Sequence, residues 1–197
     1  MRPAPFRALM DAVMRGARHR HAPWWLAALS FAESSFFPVP PDAMLVPMAV
    51  AQPRRAWRHA LVATLASVAG GVAGWLIGHY AMEAVAPLVQ RAGYWPAYLE
   101  ARQWFERWGV WVVLLAGFSP IPYKVFTLSA GAAAMPLGPF VLASLAGRGA
   151  RFYLVAGLAA WAGPRAEPWV RRNVERIGWA SVALALLAWL VWRGATA

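Results

Sequence analysis

A run apolar enough to enter a membrane is interrupted by prolines and carboxylates at Glu33-Ser-Ser-Phe-Phe-Pro-Val-Pro-Pro-Asp42-Ala-Met-Leu-Val-Pro47. Proline removes a backbone donor and pushes the residue before it out of the helical region, so no straight helix passes through Pro38, Pro40 and Pro41. Irregular backbone and ionisable side chains are tolerated at membrane depth only where protein or water surrounds them. The stretch therefore predicts a re-entrant segment that bends inside the molecule, with Glu33 and Asp42 as candidate functional acids.

The rest of the chain supports that class. Of 197 residues, 60% are hydrophobic and 14% charged, whereas soluble domains sit nearer 45–50% and 25%. Thirteen tryptophans fit a protein anchored at two membrane–water interfaces. The net charge of +11 lies mostly in short arginine runs between apolar segments. Positive-inside topology accounts for such runs, which argues against nucleic acid as partner. With no cysteine, disulfides and thiol chemistry are excluded.

Read in order, residues 1–22 form a basic amphipathic helix for the inner membrane surface, with Phe6, Leu9, Met10, Val13 and Met14 on one face. The membrane domain follows over 23–163. Its first unit, 23–82, pairs the broken stretch with a transmembrane helix over 60–82. Gly70, Gly74 and Gly78 in that helix make GxxxG spacings, which fit tight packing within the chain or a homo-oligomer. The linker 83–108 balances Glu83, Glu100 and Glu106 against Arg91, Arg102 and Arg107, unlike the basic loops, and reads as external. The second unit, 109–163, holds another broken stretch with Pro120 and Pro122, then an apolar helix carrying Arg148 and Arg151. Residues 164–197 read as a basic cytoplasmic loop (164–176) and a last transmembrane helix (177–193).

The two units align. Phe36-Phe-Pro-Val-Pro-Pro-Asp42 matches Phe118-Ser-Pro-Ile-Pro-Tyr-Lys124, and Leu65-Ala-Ser-Val-Ala-Gly-Gly-Val-Ala-Gly-Trp75 matches Leu142-Ala-Ser-Leu-Ala-Gly-Arg-Gly-Ala-Arg-Phe152. A hairpin plus one crossing is an odd number of passages, so the second copy is expected upside down. Paired broken segments in inverted repeats are a transporter architecture. Charge differs between the copies: Lys124 stands opposite Asp42, and Arg148 and Arg151 opposite Gly71 and Gly74. The acids of one half are expected to neutralise the bases of the other. On this reading Glu33 and Asp42 couple to protons, while Lys124, Arg148 and Arg151 hold an anion such as a lipid phosphate.

These motifs resemble the DedA (SNARE-associated, VTT-domain) family of bacterial inner-membrane proteins, and look closest to its small YqaA-like branch. The resemblance spans about residues 24–160, through Glu33–Asp42, Phe118–Gly131 and Gly147–Phe152. It implies two facing re-entrant hairpins, dependence on the proton-motive force, and translocation of undecaprenyl phosphate or phospholipid in envelope homeostasis. It also implies arginines in the second hairpin. Lys124 takes the place of one, and the chain departs from the pattern at Phe118, where many members have the other. The expected protein is an all-α, multi-pass inner-membrane translocase with a cytoplasmic N-terminus. Membrane lipids and protons are its expected partners, and no cofactor, metal or enzymatic activity is expected. A proton-coupled small-solute or ion transporter is the alternative, and an intramembrane enzyme a more remote one.

Overall fold

The computed structural model describes the backbone of residues 5–35, 40–91, 93, 95–119 and 123–195, with side chains for most of residues 8–173. Seven α-helices occupy this chain: α1 (Pro5–Ala17), α2 (Ala22–Ser35), α3 (Asp42–Ala51), α4 (Ala56–Arg91), α5 (Trp95–Phe118), α6 (Tyr123–Ala132) and α7 (Leu137–Ala195). A 3₁₀ turn over Pro53–Arg55 leads into α4, and no strand occurs among the described residues.

The chain breaks where its prolines cluster. Helix α2 ends at Ser35 and α3 begins at Asp42, with Pro40 and Pro41 before it and Pro41 as its N-cap. Pro38, Pro120 and Pro122 lie outside the described residues, but the second break falls beside the last two, between Phe118 and Tyr123. Pro47 and Pro87 sit inside α3 and α4 without ending them.

Where helices meet, the contacts fix their directions. Phe31 lies against Gly70 and Ser34 against Gly74, so α2 runs parallel to α4. Trp57 meets Gly157, Thr64 meets Gly149 and Ser67 meets Arg148, so α7 runs antiparallel to α4. Helix α3 runs parallel to α7, through Asp42–Arg151 and Val50–Gly163. Helix α5 also runs with α7 (Leu114–Gly147, Ser119–Arg151), and α6 runs with α4 (Thr127–Gly74, Gly131–His79). The first member of each broken pair thus packs on the next long helix in sequence, and the second crosses to the long helix of the other half.

These approaches need glycine. A Cβ at Gly70 would collide with the carbonyl of Phe31, and one at Gly147 with the carbonyl of Leu114. The two positions correspond in the internal alignment.

Two apolar clusters result. One gathers Leu26, Leu45, Met48, Ala60, Phe152 and Ala156; the other gathers Val113, Tyr123, Ala130, Met135, Phe140 and Ala143. Outward faces of the long helices carry Leu61, Leu65, Ile77, Leu142, Leu154 and Leu158, all exposed. Rows of exposed large aliphatic side chains suit a surface solvated by lipid.

One expectation is corrected here. The segment 164–176 is not a loop: α7 continues through it without a break. Arg, Glu and Ala are good helix formers, so charge alone does not interrupt a helix. Arg165 and Arg172 also donate to the carbonyls of Trp161 and Pro168, four residues back. Most of the linker 83–108 is helical, since α4 extends to Arg91 and α5 starts at Trp95. Among the described residues Pro53–Leu88 is the one helix long and apolar enough to cross a membrane. Residues 137–163 fall outside that class, with Arg148 and Arg151 in their middle.

Candidate functional site

The site is built where the ends of the broken helices meet the middle of α4 and the N-terminal part of α7. Helix α2 stops with unpaired carbonyls in its last turn, as every helix does. Side chains satisfy them. Ser35 Oγ contacts the Phe31 carbonyl at 2.9 Å and the Gly70 carbonyl at 2.9 Å, tying the end of α2 to α4. Thr127 Oγ1 of α6 lies 3.1 Å from the Ser34 carbonyl, so the second broken pair caps the first. At the end of α5 the Ser119 carbonyl accepts from Arg151 Nη1.

This capping holds Glu33 two residues from the end of α2, against Arg148 of α7. Arg148 Nη2 donates to Glu33 Oε2 at 2.5 Å and Nε donates to Ser67 Oγ of α4 at 2.6 Å. Ser67 Oγ is also 2.7 Å from Ser34 Oγ, and Ser34 Oγ donates to Glu33 Oε2 at 3.2 Å. The guanidinium lies between two rings, 5.0 Å from the Tyr123 centroid and 4.6 Å from that of Phe152. Those rings belong to the two different apolar clusters. Arg148 therefore stands at the seam between them, with its side chain only 2% exposed. Tyr123 is held in turn by Ser144, 2.5 Å from its hydroxyl.

A second pair lies one helical turn further along α7. Arg151 Nη2 donates to Asp42 Oδ2. Asp42 opens α3, where a carboxylate also meets the positive end of the helix dipole. Its other oxygen, Oδ1, is buried with no hydrogen-bond partner among the described residues. The Arg151 side chain is 17% exposed and that of Asp42 22%, against 11% for Glu33. The Asp42–Arg151 pair is the wetter of the two.

Burial sets the energetic stakes. A buried ion pair gains little over an apolar replacement, but removing one partner typically costs 3–5 kcal/mol because a charge is left stranded. Arg148 meets the condition under which such a pair persists, with a carboxylate, a hydroxyl and two ring faces around one guanidinium.

The structure thus joins Glu33 to Arg148 and Asp42 to Arg151. Lys124 is half-buried in the first turn of α6, next to Tyr123. Pro41 is buried and Pro40 exposed at the start of α3. Sequence reasoning missed the hydroxyls Ser34, Ser35, Ser67, Tyr123, Thr127 and Ser144. A signal existed for two of them: Ser67 and Ser144 are the serines of the two matched Leu-Ala-Ser runs, and each reaches into the centre. Among the described residues no three His, Asp or Glu side chains converge as metal ligands would.

Comparison with known proteins places this geometry in context. The sequence pattern of the VTT domain matches residues 39–160. An uncharacterized protein of Haemophilus influenzae is 47% identical over 186 residues, covering 94% of this chain and 97% of that protein. An uncharacterized homologue from Histophilus somni is 45% identical over the same length and coverage. No solved structure matches.

Proposed function

This chain belongs to the VTT-domain (DedA) family of membrane proteins, and on that premise we propose that it is a lipid-phosphate translocase of the bacterial inner membrane, driven or gated by protons. The observation that carries the reading is the buried Glu33–Arg148 pair at the junction of two broken helices and two long ones. Charges at such depth are costly, and in membrane proteins they mark ion and substrate pathways.

The helix directions support an inverted repeat. Helices α2, α3 and α4 run up, down, up; α5, α6 and α7 run down, up, down. Each broken pair reverses direction at its proline cluster, the course a re-entrant hairpin takes. The site then lies at the interface of two oppositely oriented halves, where inverted-repeat transporters bind substrate.

The proposed cycle follows from the pairing. With Glu33 ionised, Arg148 is neutralised and locked between Tyr123 and Phe152. A proton on Glu33 removes the carboxylate charge and frees the guanidinium to hold a phosphate, which a planar fork does well. Asp42 and Arg151 repeat the arrangement nearer water, with Lys124 as a further cation. The lipid's chains remain in the bilayer while the headgroup passes the charged centre. Undecaprenyl phosphate and phospholipids are the candidate cargoes. The proposed activity is transport, not catalysis.

Orientation rests on the arginines. Helix α1 and the 3₁₀ turn Pro53–Arg55 lie at one end, linked by Gln52 Nε2 donating to the Ala17 carbonyl at 3.1 Å. By the positive-inside rule their charge favours a cytoplasmic position for that end and for the N-terminus.

The test is a headgroup-exposure assay on purified protein in liposomes, across several lipids and at two pH values. Transport of at least one lipid phosphate, faster at one pH, is expected. No lipid transport with uptake of a bulk solute would favour a small-solute transporter and overturn the proposal.

A further inference from the structure

A second polar site lies away from the charged centre. His79 is twelve residues beyond Ser67 on α4, about 18 Å further along the helix axis. There α4, the first turns of α5 and the end of α6 line a cleft of about 200 Å³. His79, Met82 and Glu83 form one wall; Trp95, Tyr98 and Arg102 form the other.

The first wall is held in place. The His79 ring stacks on the Trp75 indole, with centroids 5.0 Å apart and planes 9° from parallel. Trp75 Nε1 donates to the Met135 carbonyl at 3.0 Å, so the indole cannot swing away freely. His79 Nε2 is 3.3 Å from Glu83 Oε1. On the opposite wall Trp95 and Tyr98 pack with centroids 5.0 Å apart, and Arg102 Nε is 3.3 Å from Glu106 Oε1.

We propose that this cleft binds the zwitterionic headgroup of a phospholipid, with the ammonium at Glu83 and the Trp95–Tyr98 rings and the phosphate at Arg102. The cleft offers a carboxylate on one wall and, on the other, a guanidinium on the same helix as two packed aromatic rings. A simple anion would engage only Arg102, and a simple cation only Glu83. A group with both charges answers both. Aromatic faces attract an alkylammonium, and a guanidinium is a strong phosphate partner. The exposed pairs that now hold Glu83 and Arg102 are of the weak surface kind, readily exchanged for a ligand. Exposed Val85, Leu88 and Leu99 on the same two helices supply an apolar border for the acyl chains. The occupant is therefore a lipid and not a free headgroup.

This proposal needs no transport at the Glu33–Arg148 centre, so the two can fail separately. The experiment is calorimetric titration of the protein in maltoside micelles with short-chain phosphatidylethanolamine. Short-chain phosphatidylglycerol and tail-free glycerophosphoethanolamine are the comparison ligands. Phosphatidylethanolamine is expected to bind at least tenfold tighter than either. E83Q and R102Q should each weaken it about tenfold or more. Glu83 and Arg102 lie on exposed surface, so the fold is retained; matching melting curves check this. Equal affinity for phosphatidylglycerol, equal affinity for the tail-free compound, or no effect of E83Q and R102Q would each overturn the proposal.

Discussion

Arg148 draws on three kinds of partner: the Glu33 carboxylate, the Ser67 hydroxyl and the rings of Tyr123 and Phe152. Truncating it strands Glu33, so Arg148→Ala should lower stability by about 3–5 kcal/mol. Ser67→Ala removes one hydrogen bond to a charged group and should cost about 1.5–3 kcal/mol. Unfolding in detergent, followed by loss of helical signal, measures both; equal effects would mean the pair is not the dominant contact. Glu33→Gln keeps the shape but cannot take up a proton. It should flatten the pH dependence of lipid transport, read from initial rates across a pH series. The charged residues were legible in the sequence because each broke an apolar background. The hydroxyls were not, because serine and threonine are common in any helix, and only the fold brings Ser34 of α2 to Ser67 of α4.

At the scale of elements, the close crossings of α2 on α4 and α5 on α7 depend on Gly70 and Gly147. The obstacle at each is a backbone carbonyl, which no rotamer change relieves. Gly70→Val and Gly147→Val should each destabilise by about 3 kcal/mol, at the upper end of ordinary overpacking. Matching shifts in melting temperature for the two are the expected outcome, since they are corresponding positions. The breaks between α2 and α3 and between α5 and α6 were legible because proline acts locally. The continuity of α7 through 164–176 was not. Its arginines and glutamates carry topological information, yet they say nothing against helical backbone, and the charge pattern was read as if they did.

For the whole molecule, the opposed helix directions of the two halves make a prediction about sidedness. Because the chain has no cysteine, single cysteines can be introduced cleanly. Arg54→Cys should react with an impermeant thiol reagent only from the cytoplasmic side, and Arg91→Cys only from the other. Two matched motifs suggest a duplication in the sequence, whereas the packing of α3 on α7 and of α6 on α4 was not legible, since only spatial contacts reveal which long helix each joins. The central claim is that the Glu33–Arg148 pair exists for transport and not for stability. The most direct measurement compares the E33Q/R148Q double variant with wild type for both melting and headgroup exposure in liposomes. Replacing a buried ion pair with a neutral hydrogen-bonding pair is often close to neutral for stability. The account predicts a double variant that melts within a few degrees of wild type and moves no lipid. A double variant that folds equally well and transports lipid at the wild-type rate would contradict it.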